Sequence, residues 1–348
     1  MVSSAAKSMD ELIHLLIQRI SRAHGKKKLV ELLKRVKDQR QVRMRTTGSA
    51  EELENALQGA VVDGHIDIAE IKALVDEIEE TGAQHVFLFK LTADGRAAVT
   101  SAALGRHFPA PPQNVTPGFY ADLPRTTCVF IGNRDNQLIV KEVYTGTFWE
   151  LDEDASEDTP RRKTRVTVLR ERRAVNLLRI LPDGNVEVRI DRLKGANDSA
   201  LALAGFEQFK QRLSAVVNFE THLEPVAIRA AFPDIVAAQN ETFMLTDRAT
   251  DASASQGFAS RRDSPQRGTD IRQHPNYRLQ GNRYVRDSVN IYWKINGRDE
   301  DLVYTIVSAV DIGDDPAAAV EYTKVYFSAK VSPAELDYVI ARIRHFAA

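Results

Sequence analysis

Apolar residues in the first part of the chain recur at the three- and four-residue spacing of amphipathic helices. Four such stripes follow one another, at residues 12–20, 29–36, 53–60 and 71–78. Gly25 and Gly64 interrupt the pattern, as glycine commonly does between helices. Residues 1–82 are therefore predicted to form a helical domain of four helices, with a tight hairpin at Gly25.

Helix starts are marked by a small polar residue followed three positions later by a carboxylate, the capping-box signature. The pairs are Ser8 with Glu11, Ser49 with Glu52, and Asp67 with Glu70. The third pair ends the stretch GAVVDGHIDIAE, which matches half of a calcium-binding loop but has Gly59 and Val61 where oxygen ligands are needed. Its DGxIxxxE turn resembles one found in TerB-like helical domains. We expect no Ca²⁺ site here, with Gly64 turning the chain.

The hydrophobic pattern changes at residue 84 to short apolar runs that are typical of β-strands. HVFLFKL is the first run, and TTCVFIG and QLIVKEVY follow on either side of the turn GNRDN. A proline-rich stretch at 107–124 separates the first run from the second, and DEDASEDTP at 152–160 is predicted to be an exposed acidic loop. Residues 83–160 are therefore predicted to form a β-rich central section with a proline-rich connector.

Two later segments each show three strand-like runs followed by one helical stripe, a β-β-β-α order. The first lies in residues 161–247 and the second in residues 281–348, where we expect Trp293 and Phe327 to be buried against the final helix. Residue identity between the units is negligible, so duplication and coincidence both stay open. Residues 248–280, rich in Ser and Arg, are predicted to be a flexible loop, with a partner-ordered arm as the alternative.

The predicted fold class is α+β, with an N-terminal helical bundle followed by antiparallel β-sheet units that are each backed by a helix. Composition agrees, because 43% hydrophobic and 27% charged residues are ordinary values for a globular protein. No apolar run approaches the roughly 18–20 residues that a membrane-spanning helix needs. Charged residues near the start argue against an export signal, and Cys128 is the single cysteine. These features predict a cytoplasmic protein without a membrane partner.

Charge is unevenly distributed although the net charge is only −1. Residues 19–45 hold eleven Lys and Arg against two acids, whereas residues 51–82 hold ten acids and one lysine. Such asymmetry indicates either a nucleic-acid surface or two neighbouring helices that attract each other. Helical neighbours of opposite sign account for part of the basic run. Seven basic residues without such neighbours are the predicted nucleic-acid-binding group: Arg19, Arg22, Lys26, Lys28, Arg40, Arg43 and Arg45.

The C-terminal strands supply a second candidate surface. Alternation sends Val289, Ile291 and Trp293 to one side of the predicted sheet and polar residues to the other. Tyrosines interleaved with lysines on an open sheet suit the stacking of single-stranded nucleic acid, while an ordinary solvated face is the alternative. The candidates are Tyr292, Lys324, Tyr326 and Lys330.

The sequence has no phosphate-binding P-loop, no dinucleotide fingerprint and no nucleophile elbow. No two histidines have the spacing that places metal ligands on one helical face, and we predict no metal, cofactor or catalytic residues. The favoured function is a non-enzymatic binding or adaptor protein that contacts DNA or RNA through a basic helical hairpin. The alternatives are a protein–protein interaction module that docks an acidic partner or the chain's own acidic helices, and a metal-dependent hydrolase or nuclease using Lys141 and Glu142.

Overall fold

The computed structural model shows an α+β protein, as the hydrophobic pattern predicts. It describes residues 9–111, 126–134, 136–159, 162–192, 198–250, 255–259, 270, 272, 285–298, 301–312, 319–328 and 331–348. Three helices come first, and an antiparallel sheet with its covering helices follows. None of the described helices combines the length and the apolar character that are needed to cross a bilayer.

The described helices are α1 (Met9–Arg40), α2 (Ala50–Val62), α3 (Ile68–Thr81), α4 (Ala93–Ala98), α5 (Ser101–His107), α6 (Asp198–Leu213), α7 (Phe232–Ala237) and α8 (Pro333–Phe346). The described strands are β1 (Gln84–Leu91), β2 (Thr127–Arg134), β3 (Gln137–Thr159), β4 (Arg162–Ile180), β5 (Asn185–Asp191), β6 (Leu223–Pro225), β7 (Thr242–Thr250), β8 (Ser255–Ala259), β9 (Val285–Lys294), β10 (Leu302–Ile312) and β11 (Val320–Phe327). Short 3-10 turns at Arg229–Ala231 and Ile295–Gly297 accompany them.

The predicted hairpin at Gly25 is wrong, because α1 continues through this residue as one helix of 32 residues. Three helices rather than four therefore occupy residues 9–81. Ile20 and Leu29 are nine residues apart, which places the two apolar stripes on opposite sides of the helix, and both are buried in one core with α2 and α3. A glycine inside a helix costs only about 1 kcal/mol, which burial on both sides offsets.

Helix starts follow the predicted caps in most cases. Ser49 and Ser332 each complete a capping box with the glutamate three residues later. Asp67 accepts a hydrogen bond from the backbone N–H of Ala69, but Glu70 forms an ion pair with Arg35 instead of capping. Gly64 has φ +72°, a left-handed conformation that glycine adopts without strain, so it turns the chain as expected. Ser8 lies outside the described residues.

The described part of the sheet contains eleven strands, and every described pairing is antiparallel. The strand order is β2-β3-β4-β5-β1-β11-β10-β9-β7-β8, and β6 also pairs with β1. β1 lies between β5 and β11, so it joins strands of the two predicted β-β-β-α units in one sheet. The second unit has the predicted order β9, β10, β11 and α8.

The sheet has two sides that different helices cover. α8 covers one side, where Trp293 and Phe327 are fully buried with Leu336 and Ile340, which confirms the predicted packing. α6 covers part of the other side through Phe206 and neighbouring apolar residues. These are termed the α8 side and the α6 side. Because directly opposed residues in antiparallel strands share a side, the register assigns each residue to one of them.

Three predicted details are wrong. Residues 164–181, predicted as two strands, lie almost entirely in the single strand β4. Residues 152–159, predicted as an acidic loop, extend β3, and Asp152 and residues 157–159 pair with β4 across a break in the register at 153–156. Residues 255–259 of the predicted flexible loop form β8 against β7, and Arg272 is buried, donating to the carbonyl oxygens of Val236 and Thr242. The other residues of 260–280 lie outside the described chain, apart from Asp270.

Candidate functional site

Of the basic residues predicted on α1 and after it, three form ion pairs within the chain. Arg19 forms an ion pair with Glu79, Lys28 with Glu31, and Arg45 with Glu52. Lys26, Arg40, Arg43 and Arg45 are exposed. The rise of an α-helix, 1.5 Å per residue, separates Lys26 from Arg40 by about 21 Å. The side chain of Arg22 lies outside the described residues.

The acidic helices lie against this basic segment, as the second sequence interpretation expects. Arg35 pairs with Glu70, and together with the pairs of Arg19 and Arg45 this joins α1 and the segment after it to both α2 and α3. With the pair of Lys28 and Glu31, the chain thus supplies its own counter-charges for four of the basic residues. A partner is not needed to explain those four.

The helical unit docks on the α8 side of the sheet through a buried ionic cluster. Lys141 Nζ lies 2.9 Å from carboxylate oxygens of both Asp76 and Glu79, and Arg173 Nε lies 2.7 Å from Glu79. Burial alone would raise the pKa of Glu79, but the positive charges of Lys141 and Arg173 outweigh it and lower that pKa to about 2. Glu79 therefore stays ionised and holds α3 against β3 and β4.

Lys141 and Glu142 do not form the pair that the hydrolase interpretation requires. They are neighbours on β3, so Lys141 lies on the α8 side while Glu142 lies on the α6 side. Glu142 is fully buried, accepts a hydrogen bond from Asn176 at 2.6 Å and pairs with Arg212. Burial raises the pKa of Glu142, and these two partners oppose that shift. Among the described residues, no three His, Cys, Asp or Glu side chains form a group that could hold a metal ion.

The strand candidates lie on the α6 side, beyond the part that α6 covers. Tyr292 and Tyr326 are partly exposed there, whereas Lys324 is 6% exposed. Their chain neighbours Trp293 and Val325 are buried on the other side, so the predicted alternation is observed. Lys330 lies outside the described residues. The α1 candidates belong to the unit docked on the α8 side, so the two predicted surfaces are not brought together.

A row of aromatic residues, of which the sequence analysis singled out only Tyr292, crosses three neighbouring strands. Phe243 on β7 lies directly opposite Tyr292 on β9, and Tyr292 lies opposite Tyr304 on β10. All three are partly exposed, and the ring centroids of the two tyrosines are 5.1 Å apart. Only the strand order and register bring them together, because β7 and β10 are far apart in sequence.

A second group of rings continues this surface toward the centre of the sheet. Tyr326 on β11 lies opposite His85 on β1, and their rings stack with centroids 4.8 Å apart. The guanidinium carbon of Arg192 lies 5.0 Å from the centroid of the Tyr326 ring, within the range of a cation–π contact. Phe243, Tyr292, Tyr304 and Tyr326 are termed the aromatic face.

α6 defines where the aromatic face ends. Tyr322, also on β11, packs against Phe206 of α6 with ring centroids 6.0 Å apart. The same tyrosine lies edge-on to Phe89 at 5.7 Å. Tyr322 therefore packs against the core beneath α6, although it lies on the same side of β11 as Tyr326. The aromatic face is the part of the α6 side that this core does not include.

The strands of the aromatic face carry basic but no acidic residues on the α6 side. The described residues of β9, β10 and β11 that fall there include the partly exposed Lys294 and the buried Lys324 but no Asp or Glu. Acidic residues of these strands, such as Asp311 and Glu321, fall on the other side, where both pair with Arg229. A ligand on the aromatic face thus meets rings and cations without carboxylates from these three strands.

Comparison with protein-family models and with curated proteins finds no match for this chain. The candidate site is therefore defined by its own geometry, a row of rings across three strands with cations on the same side.

Proposed function

We propose that this chain is a non-enzymatic binding protein that takes single-stranded nucleic acid on its aromatic face. The observation that carries the proposal is the row of Phe243, Tyr292 and Tyr304 on neighbouring strands. A cytoplasmic location, expected from the sequence, is part of the same proposal. The basic helical hairpin that the sequence indicated is replaced as the main contact, because α1 is one continuous helix.

Rings on adjacent strands suit the spacing of a nucleic-acid strand whose bases are splayed out. Strands lie about 4.8 Å apart, so aromatic side chains at opposed positions offer successive platforms for bases. Every base has a π-face, so such stacking tolerates many sequences. Single-stranded RNA is recognised in this way by sheets that carry two or three aromatic residues.

Cations on the same side provide the second requirement, which is attraction for phosphate. Lys294 is partly exposed on β9, the strand that carries Tyr292, and Arg192 lies over Tyr326. The absence of carboxylates from this side of β9, β10 and β11 favours an anionic ligand. Duplex DNA is a poorer fit, because reading its major groove requires a protruding helix or ribbon rather than a sheet face.

Fluorescence anisotropy with a labelled single-stranded oligonucleotide tests this proposal. Tyr292→Ala and Tyr304→Ala are each expected to weaken binding roughly fivefold to a hundredfold, since a stacked base contributes about 1–3 kcal/mol. Tyr292→Phe and Tyr304→Phe keep the rings and are expected to retain most of the affinity. Wild-type affinity should also fall with salt, with a log–log slope of about 0.7 per neutralised phosphate.

The matched control is Lys26→Ala combined with Arg43→Ala, which removes two exposed cations of the helical unit on the other side of the sheet. This variant is expected to bind nearly as well as wild type. The absence of saturable wild-type binding at about 50 mM salt would refute the proposal. Loss of binding in the control variant, with no effect of Tyr292→Ala and Tyr304→Ala, would move the site to α1. Circular dichroism of every variant separates loss of contact from loss of fold.

A further inference from the structure

The ring of Tyr292 has a different polar neighbour on each flank along β9. Residues two apart on a strand lie on the same side of the sheet, roughly 6.6 Å apart. Lys294 and Asn290 are therefore both on the α6 side with Tyr292, and both are partly exposed. On the next strand the two opposed residues are apolar, since Lys294 lies opposite Leu302 and Asn290 lies opposite Ile306. The two polar flanks thus belong to Tyr292 alone of the two adjacent tyrosines.

These flanks orient a nucleic-acid strand that stacks along the row of rings. Lys294 attracts phosphate, so the sugar–phosphate backbone lies on its flank of the row. The base over Tyr292 then turns its edge toward the other flank, where Asn290 lies. The base over Tyr304 turns its edge toward Ile306 instead. One base of the stacked strand therefore meets a side chain that can both donate and accept hydrogen bonds.

The fold itself does not use the side chain of Asn290. Asparagine is uncommon in strands, and here the residue opposite is the apolar Ile306. No described residue forms a hydrogen bond with the Asn290 carboxamide. Asn176, by contrast, donates to Glu142 at 2.6 Å and accepts from the backbone N–H of Asp191 at 3.1 Å. The Asn290 carboxamide has both its donor and its acceptor left for a ligand.

The chemistry of a carboxamide selects among the bases. Its oxygen accepts and its NH2 group donates, side by side. Adenine carries its amino donor between two acceptor nitrogens, N7 and N1, so it matches a carboxamide on both its Hoogsteen and its Watson–Crick edge. The Hoogsteen edge of guanine offers two acceptors, and the pyrimidines match on the Watson–Crick edge alone. Asparagine accordingly pairs with adenine through two hydrogen bonds in many protein–DNA complexes, and both edges are accessible in single strands.

We propose that Asn290 reads the base stacked on Tyr292 and gives the aromatic face a preference for adenine at that one position. The inference rests on the proposed function, because it requires a strand that is stacked on the row of rings. Phe243 and Tyr304 hold the neighbouring bases by stacking, which tolerates any base. The preferred ligand is therefore a short single strand with one adenine among bases that are not selected.

Competition between short strands measures this preference. Five-nucleotide strands displace a labelled oligonucleotide, and they contain either five thymidines or four thymidines with adenosine, cytidine or guanosine at the centre. The set is repeated as RNA, with uridine in place of thymidine. A short strand can shift along the row, so its single adenine can reach Tyr292. Wild type is expected to bind the adenosine strand at least about fivefold more tightly than the other three, the lower end of discrimination by a bidentate pair.

Two substitutions on β9 decide whether Asn290 is responsible. Asn290→Ala is expected to bind the four strands within about twofold of one another. Ser288→Ala removes a partly exposed polar group from the same side of β9, farther from the row of rings, and it is expected to keep the preference. Only ratios between strands are compared, so a general loss of affinity in a variant does not imitate the expected result.

The outcomes distinguish this inference from the function on which it rests. Equal wild-type affinity for the four strands would overturn the inference and leave the proposed function standing. So would a preference for another base, or a preference for adenosine that Asn290→Ala keeps or that Ser288→Ala removes. Failure of wild type to bind any of the strands would refute the proposed function, and the inference with it.

Discussion

Replacing Trp293 by alanine is expected to lower the free energy of unfolding by about 3–5 kcal/mol, the usual cost of truncating a buried aromatic residue. Trp293 is fully buried between β9 and α8, and its Nε1–H donates a hydrogen bond of 2.7 Å to the hydroxyl of Thr305. The substitution opens a cavity and leaves that buried hydroxyl without the indole. Urea denaturation followed by far-ultraviolet circular dichroism measures the loss.

Two variants calibrate this result. Trp293→Phe keeps most of the volume and is expected to cost less than Trp293→Ala, while still losing the hydrogen bond to Thr305. Tyr292→Ala removes the adjacent, partly exposed ring and is expected to cost less than either. A loss below about 1 kcal/mol for Trp293→Ala would show that β9 and α8 do not form the core described above.

Replacing Lys141 by alanine is expected to destabilise the protein by up to about 3–5 kcal/mol, because it removes one of the three cations that compensate the buried charge of Glu79. Lys141 is 2% exposed and contacts Asp76 and Glu79 at 2.9 Å each. Without it, Glu79 keeps Arg173 and Arg19 as partners but stays buried where α3 meets the sheet. The same urea titration measures the effect, and limited proteolysis shows whether the helical unit loosens first.

Acid titration supplies the control for the ionic cluster. The pKa of Glu79 falls from its ordinary 4.5 to about 2 in the folded chain. A group with a depressed folded pKa contributes stability that is complete above the unfolded pKa and is lost as pH falls through the folded one. Wild type is thus expected to lose this contribution between pH 4.5 and about 2, and Glu79→Gln is expected not to. A small cost for Lys141→Ala with an unchanged acid profile would contradict the ionic docking.

Most helices and strands were predictable from local sequence patterns. The stripes at residues 53–60 and 71–78 became α2 and α3, and the apolar run at residue 84 became β1. These elements were predictable because side-chain spacing and caps act within a few residues of chain. Gly25 shows the limit of such reasoning. Its position between two out-of-phase stripes suggested two helices, but burial on both sides of α1 stabilises one.

The candidate site depended on contacts between distant parts of the chain. Tyr292 and Tyr326 were recognisable from alternation along their strands, since their neighbours are apolar. Phe243 and Tyr304 were not, because only the register of β7, β9 and β10 places them beside Tyr292. The length of β3 was not predicted for a different reason. The acidic run at 152–158 is a poor strand by composition, although the basic part of β4 follows it closely in the chain and pairs with it as a hairpin.

The basic residues of α1 and the aromatic face lie on different sides of the sheet, and this matters for any binding study. α1 belongs to the unit that Glu79 holds on the α8 side, and the aromatic face lies on the α6 side. A compact ligand therefore contacts one surface or the other. Substitutions on one surface serve as controls for the other, since residues that share no partners have nearly additive effects.

Photo-crosslinking with a single-stranded oligonucleotide that contains 5-bromouracil, followed by mass spectrometry of the joined peptides, tests the central claim most directly. The expected result is attachment at Tyr292 and Tyr304, with Phe243 in a further joined peptide, and loss of attachment when unlabelled oligonucleotide competes. Attachment confined to residues 26–45, or no attachment that competition reduces, would contradict binding on the aromatic face.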